Sequence, residues 1–296
     1  MEGSSIRVQL IGGLGNQLFG YAAGAALARA LGKSLEIDTS WTRYGMTDHG
    51  IAIREFDLPG NWLGEKRAVS RMLPPGSARG RLGQKVALNL GRFPRQTGIF
   101  YWATGDSMQD VLAKKPRMLR GYFQHNSFFN YLTHTDAPME FVIRRPSISF
   151  LQLCARAKDE RPTALHVRVG DYRQLDPGYR LTSGYFESAL ERVLATNDWR
   201  QIWLFSDEPH QAITEIPNLR RLGNKLVIVP STLTPAETLV ILRSTSTKIL
   251  SNSTFSWWGA IHTKSPTIYV PTPWNLHKEP VSLIPTSWTR LPATFH

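Results

Sequence analysis

Apolar and polar positions alternate from Ile6 to Ile11, the pattern of a half-buried strand. A tight glycine turn follows, Gly12-Gly13-Leu14-Gly15-Asn16-Gln17. Leu18, Phe19, Ala22, Ala23, Ala26, Leu27, Ala30 and Leu31 then recur at helical spacing, with Asn16 placed as N-cap and Gly32 as C-cap. Ser34 to Asp38 reads as the next strand, so the chain opens with a β-turn-α-β unit. Residues 45–150 are irregular and rich in Gly, Pro and Trp, and their elements cannot be ordered from the pattern. From residue 162 the alternation resumes. Strands are expected at Thr163 to Val169, Ile202 to Phe205, Leu226 to Val229, Lys248 to Leu250 and Thr267 to Val270. Helices are expected at Tyr185 to Leu194, from Thr234 to about Arg243, and at Phe255 to Ile261. The second of these opens on a capping box, Thr234-Pro235-Ala236-Glu237, with proline at the first helical position. Repeated β-α-β units predict parallel sheets covered on both faces. The expectation is an α/β chain of two Rossmann-like domains, residues 1–155 and 156–296, facing across a cleft that holds the ligand. The last residues are expected to pack back on the first domain.

Composition narrows the class. With 296 residues, 42% apolar and 20% charged, the chain can bury a large core and is not disordered. One cysteine, Cys154, excludes an intramolecular disulfide framework and an all-cysteine metal site. No uncharged apolar run approaches the ~18 residues of a membrane span, and the first residues lack a basic leader. A cytoplasmic protein is expected. Its formal charge is +12, and Glu65 to Arg95 holds eight basic residues against one acidic, or +7. Such a segment is either a solvated face or an attraction to anions. A peripheral contact of residues 66–95 with an anionic membrane follows from the second reading. Neither zinc-finger spacing nor an aromatic RNA-binding pattern is present, so nucleic acid is not expected.

Three blocks carry candidate chemistry. Gly13, Gly15, Asn16 and Gln17 bring backbone N–H groups and a helix start to one spot, an anion site or a plain strand-to-helix turn. A dinucleotide fingerprint from Gly13 would need glycine at position 18, where Leu18 stands. His166-Val167-Arg168-Val169-Gly170-Asp171-Tyr172 lies at a strand end with His166 and Arg168 on one face, and arginine can hold a diphosphate bidentately. Ser251 to Ala260 follows a strand and opens a helix. Asn252, Ser253 and Thr254 there either cap that helix or receive phosphate oxygens, with Phe255 beside them. Asp207, at a third strand end, is a helix cap or a carboxylate near a ribose, base or acceptor hydroxyl. No Asp-x-Asp and no compact His/Asp cluster occurs, so neither a metal nor any other cofactor is expected.

Together these blocks resemble the α-1,2-fucosyltransferases of glycosyltransferase family 11. The match rests on Gly12 to Phe19 with Tyr21-Ala22-Ala23-Gly24, on His166 to Tyr172, and on Ser251 to Ala260. Arg54 to Leu58 and Gly121-Tyr122-Phe123-Gln124 are softer matches. The resemblance implies a GT-B fold and inverting, metal-independent transfer of L-fucose from GDP-β-L-fucose to the 2-hydroxyl of a terminal galactose or similar sugar. It implies that Arg168 binds the diphosphate with His166 beside it, that Asn252, Ser253 and Thr254 bind phosphate or nucleotide, that Asn16 reaches the donor, and that Asp207 lies near the nucleotide. Asp171 and Asp176 are the candidate general bases, Asp171 equally a brace for Arg168. The family often has a second arginine after the first, and Val169 stands there. On a strand that side chain faces the other way, so its loss should be tolerated. With the basic segment, an acceptor on a lipid diphosphate at the inner membrane face is expected. A non-catalytic GDP-sugar or glycan binder and an NAD-type oxidoreductase are the alternatives.

Overall fold

A computed structural model describes residues 5–39, 50–63, 100–103, 105–134, 139–170, 177–196, 198–276 and 282–296. Asp171, Asp176 and the basic segment 66–95 lie outside the described residues. The chain divides into two compact units, Met1–Val142 and Ile143–His296.

The first unit holds a parallel sheet of β1 (Ser5–Gln9), β2 (Ser34–Asp38), β3 (Asn61–Leu63), β4 (Phe100–Ala103) and β5 (Met118–Gly121). Their spatial order is β3-β2-β1-β5-β4, so the chain's direction across the sheet reverses between β1 and β5. Helix α1 (Leu14–Ala30) connects β1 to β2 and is buried on most sides. Its small residues let it lie close on the sheet: a Cβ at Gly24 would stand 2.9 Å from side-chain atoms of Val8 and Leu35. Two short helices, α2 (Met108–Ala113) and α3 (Asn126–Thr133), follow β4 and β5. Helix α1 ends in a Schellman turn at Gly32 (φ +61°), with Lys33 N–H donating to Ala28 O and Gly32 N–H to Arg29 O. Its start corrects the expected cap. The helix begins at Leu14, so Gly13 is the N-cap and Asn16 lies in the first turn.

The second unit holds six parallel strands, β6 (Thr163–Val167), β7 (Ile202–Ser206), β8 (Leu226–Ile228), β9 (Lys248–Ile249), β10 (Ile268–Thr272) and β11 (Thr289–Pro292). They run in the order β11-β10-β9-β6-β7-β8, and the reversal falls between β6 and β9. Helices α4 (Ile148–Glu160), α5 (Ser183–Leu194), α6 (Pro209–Glu215), α7 (Pro217–Arg220), α8 (Pro235–Ser244) and α9 (Thr254–Ala260) surround the sheet. Leu165, Val167 and Val169 pack with Tyr185 and Ala189 of α5 on one face. Ala164, Trp203 and Phe205 pack with Phe150 of α4 and Ile241 of α8 on the other. Both faces are therefore covered, as buried parallel strands require.

One domain expectation changes. The division falls at 142/143 rather than 155/156, because α4 belongs to the second unit. Its N-cap Ser147 donates its backbone N–H to Glu237 Oε1 at 2.7 Å, and Glu237 also closes the capping box of α8. The chain's end pairs within the second unit. β11 pairs with β10, and Phe295 bridges Leu181. No described helix is long and apolar enough to cross a membrane.

Candidate functional site

In open parallel sheets, ligands bind beyond the strand C-termini where the strand order reverses. In the second unit that point lies past β6 and β9, and it brings His166, Arg168, Asp207 and residues 251–255 together. Arg168 follows the last residue of β6, and its Nε lies 3.4 Å from Asp207 Oδ2, with both side chains about a quarter exposed. Asp207, just past β7, also accepts the backbone N–H groups of Val169 (Oδ1, 3.0 Å) and Gly170 (Oδ2, 3.2 Å). One carboxylate thus fixes both the loop after β6 and the guanidinium. A Cβ at Gly170 would sit 3.0 Å from Asp207 Oδ2 and 3.3 Å from Glu208 Oε1, so the close approach favours glycine there. Val169 is buried in the core with Leu165 and Val167. Its side chain faces away from Arg168, as strand alternation anticipates.

His166 is buried, with Nδ1 2.6 Å from Ser256 Oγ and its ring stacked on Phe255 at 5.4 Å. Burial, and then the charge of Arg168, push its pKa down to about 3, so the imidazole is neutral. It sits beneath Arg168 as a packed support. Two residues expected to bind phosphate are engaged within the fold. Asn252 Nδ2 donates to Tyr179 O at 2.7 Å, and Ser253 Oγ caps α9 by accepting from Phe255 N–H at 3.2 Å. Thr254, half-buried in the first turn of α9, makes no side-chain hydrogen bond within the described residues. It is the hydroxyl of this block best placed to meet a ligand. Trp257 and Trp258 are both core residues, packed edge to face at 4.9 Å.

The first unit's reversal point, past β1 and β5, gathers the glycine turn and residues 121–125. Gln17 is wholly buried. Its Nε2 donates to Gly12 O (2.9 Å) and Gly50 O (2.8 Å), and its Oε1 accepts from Ile53 N–H (3.2 Å). This side chain clips the turn to residues 50–53 and is not presented to a donor. Gly13 caps α1 and Gly15 is buried in its first turn; neither has positive φ. The conformationally demanding glycine is Gly12 (φ +71°), where a Cβ would lie 2.8 Å from Asn16 Nδ2. Asn16 Oδ1 accepts from Gln124 Nε2 at 3.0 Å. That bond joins two motifs 108 residues apart, a contact no local pattern announces. Phe123 between them has φ +43°, which for a bulky residue costs about 1–3 kcal/mol. Its fully buried ring, edge-on to Phe128 at 5.9 Å, holds it there.

A second feature of this edge has no local sequence signal. Asp38, Gln9 and Arg120 stand in register across β2, β1 and β5, a polar row under this edge. Burial lowers the Arg120 pKa to about 10, against the opposing pull of Asp38. Among the described residues no group of three His, Cys, Asp or Glu side chains could hold a metal ion.

Comparison with known proteins places these features. Over 311 aligned residues the chain is 27% identical to the O-antigen biosynthesis glycosyltransferase WbnK of Escherichia coli, covering 95% of this chain and 99% of that one. A glycosyl transferase family 9 structure from Veillonella parvula superposes with a TM-score of 0.50 at 11% identity, over 99% of this chain and 88% of that chain. The fucosyltransferase NodZ from Bradyrhizobium superposes with a TM-score of 0.46 at 13% identity, over 90% and 96%. Two parallel-sheet Rossmann-like units give the chain a GT-B type fold. Residues 111–282, more than half of the sequence, match the pattern of Glycosyl transferase family 11 and span Gln124, Arg168, Asp207 and Thr254. The protein is thus a glycosyltransferase and belongs to family 11.

Proposed function

We propose that the chain transfers L-fucose from GDP-β-L-fucose to the 2-hydroxyl of a terminal galactose, or a similar sugar, with inversion to an α-1,2 linkage. The observation that carries this reading is Arg168, held by Asp207 at the strand-order reversal of the second unit, with Thr254 at the start of α9. A guanidinium in that place can bind a diphosphate and offset the charge on departing GDP without a metal ion. The motif resemblance to α-1,2-fucosyltransferases supports fucose and the linkage. The role printed for the WbnK relative supports an O-antigen type of oligosaccharide as acceptor.

Transfer is a displacement at the anomeric carbon with oxocarbenium character. The acceptor oxygen forms the new bond as the bond to the diphosphate breaks, and GDP leaves with that electron pair. Juxtaposing the two sugars supplies much of the rate. Asp207, engaged by Arg168 and two backbone N–H groups, positions the arginine rather than moving a proton. Asp171 and Asp176 remain the proposed candidates for the base that takes the acceptor proton. No metal or other cofactor is proposed. Residues 66–95 are proposed to hold an anionic membrane surface at the cytoplasmic face, tested by salt-sensitive binding to anionic vesicles.

The direct test of the carrying observation is Arg168→Ala. It should fold with native circular dichroism and lose about 10²–10³-fold in kcat/KM for GDP-fucose, on the scale of removing a preorganised charge-stabilising donor. Native turnover by this variant would overturn the diphosphate role.

A further inference from the structure

The turn after β5 is built with unusual care. Gly121 has φ +138° and Phe123 φ +43°, two successive left-handed departures around Tyr122. Buried, bulky Phe123 anchors the turn from below, and His125 N–H closes it on Phe123 O at 2.8 Å. The result turns Tyr122 outward, 38% exposed, at the C-terminal edge of the sheet. Strain of this kind, locked by packing, concentrates where a fold presents groups to a ligand.

The groups presented are neutral. Gln124 gives one amide hydrogen to Asn16, and neither amide makes another side-chain hydrogen bond within the described residues. The Tyr122 hydroxyl makes none there either. Beneath them Arg120 and Asp38, of opposite charge, flank Gln9 in one row across the sheet. An aromatic face flanked by uncharged amides suits the C–H face and hydroxyls of a sugar, and suits a phosphate poorly. We propose that Tyr122, Gln124 and Asn16 form a subsite for a neutral pyranose ring on the first unit, with the ring stacked on Tyr122 and its hydroxyls bonded to the two amides. This deepens the glycosyl-transfer reading, which supplies two candidate rings: the acceptor galactose and the fucose of the donor.

Saturation-transfer NMR with methyl β-galactoside and with methyl α-L-fucoside separates them and needs no turnover, so the result stands even if fucose transfer fails. Wild-type protein should saturate one of the two rings. Tyr122→Ala and Gln124→Leu should each weaken that binding at least fivefold, while Tyr122→Phe, which keeps the aromatic face, should stay within about twofold. Native circular dichroism for all three variants excludes a folding defect, and Tyr122 is exposed enough for its replacement to be tolerated. Loss of the galactoside signal assigns the acceptor, and loss of the fucoside signal assigns the donor sugar. No saturation of either ring in wild type, or wild-type binding by both disruptive variants, would overturn the subsite.

Discussion

Asp207 touches Arg168 Nε and two backbone N–H groups through one carboxylate, so its loss should show in catalysis more than in folding. Asp207→Asn removes the charge facing the guanidinium and replaces one acceptor oxygen with a donor. We expect kcat to fall about 10–100-fold, on the scale of a displaced positioning contact, with the melting temperature shifted by only a few degrees. Unchanged kcat would remove Asp207 from the positioning role. His166 makes a different prediction. Its imidazole is neutral in the fold, with pKa near 3, whereas the unfolded chain titrates near 6.5. Between those values the unfolded chain binds more protons, so stability is fully present above about pH 6.5. It falls as the pH drops, by about 1.4 kcal/mol per unit from this group alone. Urea unfolding from pH 7 to pH 4 should show a steeper acid loss for wild type than for His166→Asn, and parallel slopes would contradict this. At this scale the sequence reveals chemistry better than partnership. Arg168 and His166 are legible as a strand-end pair. That Gln17 and Asn252 make their contacts is not, because their partners Ile53 and Tyr179 are brought to them only by the tertiary structure, whereas Ser253 takes the local capping alternative.

Elements with strong local codes form where the sequence places them. The Thr234–Glu237 capping box makes both of its bonds and starts α8 at Pro235. The five strands expected in the second half fall within two residues of expectation, while β11 was not expected. Elements in residues 45–150 were not legible. β3, β4 and β5 are strands of three or four residues, too short to show a period, and they pair with β2, β5 and β1 in turn through contacts distant in sequence. Helix α4 carries an apolar stripe of only Phe150, Leu153 and Ala157, and its place depends on Glu237, ninety residues along. The packing of α8 on α9 has a sharp test. A Cβ at Gly259 would lie 2.3 Å from Leu242 Cδ2 and 2.6 Å from its Cγ, in a fully buried contact. Gly259→Ala should therefore destabilise the protein by about 1–3 kcal/mol in urea unfolding, the usual cost of overpacking. A neutral effect would mean that the two helices can slide apart.

For the molecule as a whole, two parallel sheets each gather their notable side chains at the edge where strand order reverses. The second unit presents a fixed arginine, and the first a neutral aromatic and amide surface. That division suits a transferase that must hold a charged leaving group and an uncharged sugar. Family membership and the GT-B type fold were legible early because the glycine turn, the His-x-Arg run and the Ser-Asn-Ser-Thr block are contiguous. The meeting of Gln124 with Asn16 was not, because it joins positions 108 residues apart through the tertiary structure. The most direct measurement is release of GDP from GDP-fucose in excess EDTA, with and without a terminal β-galactoside, and with the product linkage read by NMR. Release should depend on the acceptor and be unaffected by the chelator, and the product should carry α-fucose on the 2-hydroxyl of galactose. Release that stops on chelation, or a product with another sugar or linkage, would contradict it.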